Sequence, residues 1–213
     1  MRAPIKTVTF AALVAIAAFG IERATAVLTT AVARSGEPAP GFAAADIAGK
    51  TIRLGDYAGR TVVLEWTNHG CPFVGKHYNS GNMQALQQKY TTAGVVWLTI
   101  ASSAPGEEGY VTPVEAEADL ARWHATPTDF LLDSDGVVGR LYDARATPHM
   151  VVIDRAGRIV YMGAIDDTPS TRLADIKTAH NYVAAALDAV AAGRPIAIAS
   201  TRAYGCSIKY KEG

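Results

Sequence analysis

One of the chain's two cysteines, Cys71, follows the β-rich run Thr61-Val62-Val63-Leu64, closes the segment Glu65-Trp66-Thr67-Asn68-His69-Gly70, and is followed by Pro72. A strand that gives way to a helix here puts a thiol at a helix N-terminus. Unpaired backbone N–H groups and the helix dipole there favour the thiolate, the nucleophilic form of cysteine. The expected chemistry is thiol redox. The other cysteine, Cys206, lies far along the chain in Tyr204-Gly205-Cys206-Ser207-Ile208-Lys209. His69 and His77 flank Cys71, and His69, when protonated, would lower the thiol pKa. Lys76 and Arg145 would supply positive charge near a thiolate, although such residues are mostly solvated.

The elements that must position Cys71 are written around it. Residues 61–66 are nearly all apolar, as a strand buried on both faces requires. Pro72 suits the first turn of a helix, which is expected to run from 72 to about 90 with Gly81 inside it. Residues 95–101 form a second buried strand, so strand, helix and strand make a right-handed parallel crossover. A helix over 113–123, a short strand at 130–132, a turn at 133–136 and a short helix over 137–142 follow. Residues 150–153 and 159–163 flank the turn Arg155-Ala156-Gly157-Arg158 as an antiparallel pair, and residues 177–192 form a closing helix stopped by Gly193. Upstream, residues 46–54 read as a small hairpin around Gly49-Lys50 and residues 54–59 as a turn. His149, at the start of a strand, is expected to face solvent, and Asp166-Asp167 receive no role.

The first residues carry Arg2 and Lys6, then an apolar run over 8–21, then small residues at Ala24-Thr25-Ala26 and Ala31-Val32-Ala33. This is the layout of a secretory signal peptide over 1–33, cleaved after Ala26 or Ala33. The apolar run is short for a bilayer span, so a membrane tether arises only if the leader is retained. The expected organisation is that leader, one domain over 34–193, and a tail over 194–213 that carries Cys206. The tail has no strong periodicity but is too apolar for a simply solvated end. Twenty basic residues balance 20 acidic ones with no basic run, which argues against nucleic acid as a partner. Two cysteines are too few for a disulfide scaffold, yet export would allow one bridge to persist. No glycine-rich phosphate loop or dinucleotide fingerprint occurs.

The order of elements, with Trp66-Thr67-Asn68-His69-Gly70-Cys71-Pro72 after the first buried strand and Thr147-Pro148 before a later one, resembles the thioredoxin-like fold. The branch it resembles is the peroxiredoxin-like one of the alkyl hydroperoxide reductase/thiol-specific antioxidant (redoxin) family. The resemblance implies an α/β fold with a central mixed β-sheet flanked by helices, and Thr147-Pro148 as the cis-proline loop beside the reactive cysteine. It implies Cys71 as nucleophile and Glu65, six residues before it, as a buried carboxylate able to take or return the thiol proton, against the plainer reading of a partly solvated strand end. Trp66, Thr67, Asn68, Pro72 and Thr147 would line the substrate site, with Trp66 packing beneath the loop. No cofactor or metal is implied, since the copper chaperones of this fold use two closely spaced cysteines. The implied partners are a thiol reductant as electron donor and a peroxide or protein disulfide as substrate.

This sequence also departs from the pattern. Val74 stands where thioredoxins place a second cysteine, Asn68 where peroxiredoxins place a threonine, and Pro148 where they place an arginine; Thr67 is one residue out of register. Three readings of Cys206 are open. It resolves a mixed disulfide or sulfenic acid on Cys71, it forms a permanent structural bridge with Cys71 in a non-catalytic binding domain, or it is a free thiol.

Overall fold

The structure, a computed structural model, describes residues 32–212. All but the last two residues of the expected leader, Ala26 among them, therefore lie outside the described residues. β1 (Ala43–Asp46) and β2 (Thr51–Arg53) form the hairpin, turned by Gly49 at φ 81°. β3 (Val62–Trp66) and β4 (Val96–Ala101) are buried at every position and run parallel to each other, as their apolar runs require. β5 (Asp129–Leu132) continues the parallel set beside β4, while β7 (His149–Ile153) and β8 (Ile159–Gly163) add antiparallel strands beside β3. The seven strands lie in the order β2-β1-β5-β4-β3-β7-β8. This mixed sheet, flanked by helices, is the thioredoxin-like architecture.

Alternation along β3 divides the core between the two faces. Leu64 and Trp66 join Leu98, Ile100, Val151 and Tyr142 on one face, where α4 (Val137–Leu141) packs. Val63 points to the other, against Val74 and Tyr78 of α1 (Pro72–Asn79), Met83 and Leu86 of α2 (Asn82–Thr92), and Val183 and Leu187 of α5 (Tyr182–Ala191). α3 (Pro113–Trp123) has the expected bounds, opened by a Thr112–Glu115 capping box with Pro113 in its first turn.

Two expectations are corrected, and the apolar tail docks. The helix expected over 72 to about 90 is two helices, because Gly81 takes φ 77°, a left-handed conformation that ends one and opens the next. The closing helix begins at Tyr182 rather than residue 177. Asn181 caps it by accepting from Ala184 N–H at 2.9 Å, and Leu173–Lys177 form a separate 3₁₀ turn. The tail is ordered: β9 (Cys206–Ser207) pairs antiparallel with β6 (Ala146–Thr147), and Ile208 and Tyr210 pack into the Trp66 face of the core. Further on, Lys209 O accepts from Ala104 N–H at 2.7 Å and Tyr210 Oη donates to Ala144 O at 2.5 Å. The tail thus crosses the end of the sheet where Cys71 sits.

Candidate functional site

Cys71 is the N-cap of α1 and Pro72 its first residue, so no intrahelical N–H is lost to the proline. Cys71 O accepts from Gly75 N–H at 2.8 Å, and Cys71 N–H donates to Asn68 O at 3.0 Å. The thiol is 1% exposed. Its S–H donates to Thr147 O at 3.2 Å, just before the cis Thr147-Pro148 bond, and its sulfur accepts from Cys206 N–H at 3.4 Å. Pairing of Cys206 with Thr147 across β6 and β9 makes this contact. Gly205, at φ 131°, lies so close to Thr147 O that a Cβ there would sit 1.8 Å from it, so only glycine lets the tail approach.

The two thiols are unequal. Burial first, then the neighbouring Cys71, pushes the Cys206 thiol up to about 12, which keeps its proton in place at neutral pH. Cys71 differs in position, capping α1 where Cys206 pairs in a two-residue strand. Cys206 needs a base to give up its proton at neutral pH.

Glu65 is fully buried, not a solvated strand end. Its carboxyl accepts from Tyr78 Oη at 2.6 Å, Trp97 Nε1 at 2.7 Å, Gln87 Nε2 at 3.2 Å and Thr99 Oγ1 at 3.3 Å. Burial raises its pKa, partly offset by these four donors. Glu65 ties α1 and α2 to β4 and forms no hydrogen bond with Cys71. Trp66 faces the other side of the sheet, its ring 5.8 Å from that of Tyr142 and tilted to it by 41°, and donates to Ser102 Oγ at 3.0 Å. Asn68 shapes the loop: its Oδ1 accepts from Gly70 N–H at 2.8 Å, and its side chain fills the space left by Gly109. Thr67 is buried, and its hydroxyl finds no partner among the described residues.

Of the two cations expected near Cys71, Arg145 is solvated, as such residues mostly are, and Lys76 is not. His69 is exposed and pairs with Asp119 of α3 at 3.7 Å, and Arg145 is exposed and pairs with Asp143 at 2.8 Å. Lys76, expected to be solvated, is wholly buried: its Nζ lies 2.9 Å from Asp166, 2.7 Å from Thr168 O and 3.1 Å from Tyr204 Oη. His77 is buried beside them, 3.7 Å from Asp166, and burial lowers its pKa to about 4. Nothing local signals this cluster. Lys76 and Asp166 lie 90 residues apart and meet only when α1 packs beside the segment after β8.

His149 is also corrected. It is 6% exposed, edge-on to Trp66 at 5.7 Å, and neither ring nitrogen has a partner among the described residues. Burial, opposed weakly by Asp143, lowers its pKa to about 4. It borders a cavity of about 1040 Å³ lined also by Arg34, Arg145, Arg202, Gly205 and Ser207. Neither Cys71 nor Cys206 lines this space. Because the unfolded chain binds a proton near pH 6.5 and the folded one only near 4, His149 withdraws stability as pH falls through that window. Relative to His149→Phe, the wild type is expected to lose about 3 kcal/mol between pH 7.5 and pH 4. The two are expected to agree within about 1 kcal/mol at pH 7.5, since a phenyl ring keeps the Trp66 contact and removes two unsatisfied nitrogens. Urea unfolding across this range checks it; parallel curves would refute it.

A family model described as the AhpC/TSA family matches residues 35–162, more than half of the chain. The chain belongs to the AhpC/TSA family. Cys71 lies inside the span matched to AhpC/TSA proteins, whereas Cys206 lies outside it. Similar solved structures include an uncharacterized conserved protein from Geobacillus kaustophilus, 28% identical with TM-score 0.71, covering 84% of this chain and 94% of that one. A hypothetical protein from Sinorhizobium meliloti 1021 is 23% identical with TM-score 0.69, covering 86% and 98%. A protein provisionally described as the thiol:disulfide interchange protein DsbE from Chlorobium tepidum is 26% identical with TM-score 0.50, covering 61% and 84%. No curated protein matches the chain. AhpC/TSA membership and this fold support thiol oxidoreductase chemistry in general.

Proposed function

We propose that this AhpC/TSA protein is an exported thiol oxidoreductase in which Cys71 is the nucleophile and Cys206 the resolving cysteine, acting on a disulfide in preference to a peroxide. The observation that carries the reading is the approach of two cysteines 135 residues apart, with Cys206 N–H on the Cys71 sulfur at 3.4 Å. The Cys71 thiolate attacks one sulfur of a substrate disulfide, forming a mixed disulfide and releasing the other sulfur as a thiolate. Cys206 then gives up its proton and attacks the Cys71 sulfur, releasing the second substrate thiolate and leaving a Cys71–Cys206 bridge. A thiol reductant, protein or small molecule, returns both cysteines to thiols. The interchange activity named for the Chlorobium tepidum relative supports this direction.

A hydroperoxide would use the same nucleophile, giving a sulfenic acid on Cys71 and an alcohol, then the same bridge and water. The threonine and arginine that peroxiredoxins place for such a substrate are replaced here by Asn68 and Pro148, and Pro148 has no N–H to offer. Thr147 O accepts from the Cys71 thiol and lies close against Gly205.

Non-reducing peptide mapping tests the assignment. Oxidised glutathione is expected to convert the reduced protein to a Cys71–Cys206 disulfide, and in Cys206→Ser to leave a glutathione adduct on Cys71. Failure of the wild type to form the bridge would overturn the reading. A bridge that forms but resists reduction by thiols would favour a permanent structural link in a binding domain. The same digest reads the mature N-terminus, expected after Ala26, because Ala33 is buried and its N–H donates to Leu141 O at 2.9 Å.

A further inference from the structure

Both halves of the thiol pair are tethered to one buried carboxylate. Asp166 receives Lys76 Nζ at 2.9 Å, and Lys76 belongs to α1, the helix that Cys71 caps. The same carboxylate accepts from Tyr204 Oη, two residues before Cys206, and Lys76 Nζ lies 3.1 Å from that hydroxyl. Burial and the Asp166 charge raise the Tyr204 pKa, so the phenol stays protonated and donating. Its ring packs edge-on to Phe73 at 5.7 Å, beside the start of α1. Lys76 and Asp166 side chains are 0% and 1% exposed, which removes the solvent competition that makes surface pairs weak. His77, neutral at physiological pH, closes the cluster without changing its charge.

We propose that Lys76, Asp166 and Tyr204 are positioning residues for the thiol pair. They form a latch that sets how often Cys206 lies against Cys71, and therefore how often the Cys71 thiol is open to an outside reagent. The exchange part of this proposal rests on the thiol oxidoreductase reading; the access part does not. With the latch closed Cys71 is 1% exposed, so a disulfide substrate reaches it only when the tail lifts. Tyr204→Phe keeps the ring against Phe73 and removes only the hydroxyl. Asp166 retains Lys76 and the Thr168 N–H at 3.0 Å, and Tyr204 stands outside the hydrophobic clusters, so the domain is expected to fold.

Two readouts test the latch. The first is equilibrium oxidation in mixtures of reduced and oxidised glutathione. The Cys71 and Cys206 sulfurs join with loss of two electrons and two protons, which convert one oxidised glutathione into two reduced molecules. The second is the rate at which iodoacetamide alkylates Cys71 in the reduced protein, followed by mass spectrometry. Loss of one hydrogen bond to a charged group is expected to make bridge formation about tenfold less favourable and Cys71 alkylation about tenfold faster. Ile52→Val, a packing change in β2 at the far edge of the sheet, is expected to move neither by more than about twofold. An unchanged alkylation rate in Tyr204→Phe, or an equal shift in Ile52→Val, would overturn the proposal. If the wild type forms no bridge at all, the oxidoreductase reading fails, and the alkylation rates alone decide for or against the latch.

Discussion

Cys71→Ser is expected to lower thiol-dependent reduction of a disulfide substrate by at least about 10³-fold while leaving the fold intact. The hydroxyl fits the pocket: it is smaller than the thiol and can still donate to Thr147 O, where the S–H now points. It cannot ionise at neutral pH as a thiol does, and oxygen forms no exchangeable bond with a disulfide sulfur. The loss therefore belongs to chemistry and not to packing. Turnover of a model disulfide with a thiol reductant, beside circular dichroism and thermal unfolding of both proteins, measures it. Cys206→Ser differs in kind, because it leaves the attack intact and removes the resolving step, so the mixed disulfide accumulates. Unaltered turnover in Cys71→Ser would remove this thiol from the mechanism.

Glu65→Ala is expected to cost about 3–5 kcal/mol of stability. Four donors converge on this carboxyl from α1, α2 and β4, and alanine would leave Trp97 Nε1 and Tyr78 Oη buried without an acceptor and Gln87 Nε2 with Tyr78 Oη alone. Glu65→Gln keeps the shape and one carbonyl oxygen and is expected to cost less than half as much. The glutamine comparison also carries a pH signature. Burial raises the Glu65 pKa, so the folded protein holds a proton that the unfolded chain has already released. The stability this group contributes is full below the ordinary carboxylate range and declines as pH rises towards the folded pKa. The wild type should therefore lose ground to Glu65→Gln with rising pH, the opposite sense to the His149 effect. Denaturant melts of the three proteins at several pH values check both the size and the sign.

Much of the scaffold was readable because buried parallel strands leave a local mark. The runs at 61–66 and 95–101 became β3 and β4 within a residue, and Pro113 opened α3 where a proline is tolerated. Gly81 misled because one glycine inside a helical pattern is compatible with a continuous helix, and only its left-handed φ in the folded chain separates two. The site was legible in its sulfur atoms and in the cis bond at Thr147-Pro148. It was not legible in the groups that surround them. Lys76 and His149 have side chains that usually seek water, and their burial depends on partners or neighbours brought from distant strands. The tail gave no period because two paired residues in β9, followed by single anchors at Ile208 and Tyr210, have none to give.

Placing β9 across the end of the sheet also fixes an order of assembly. Cys71 is synthesised 135 residues before Cys206, and every strand of the seven-stranded sheet is complete by Gly163. The residues of the sheet that carries Cys71 are therefore synthesised before the segment that covers the thiol, and a chain lacking residues 204–210 would leave Cys71 open to outside reagents.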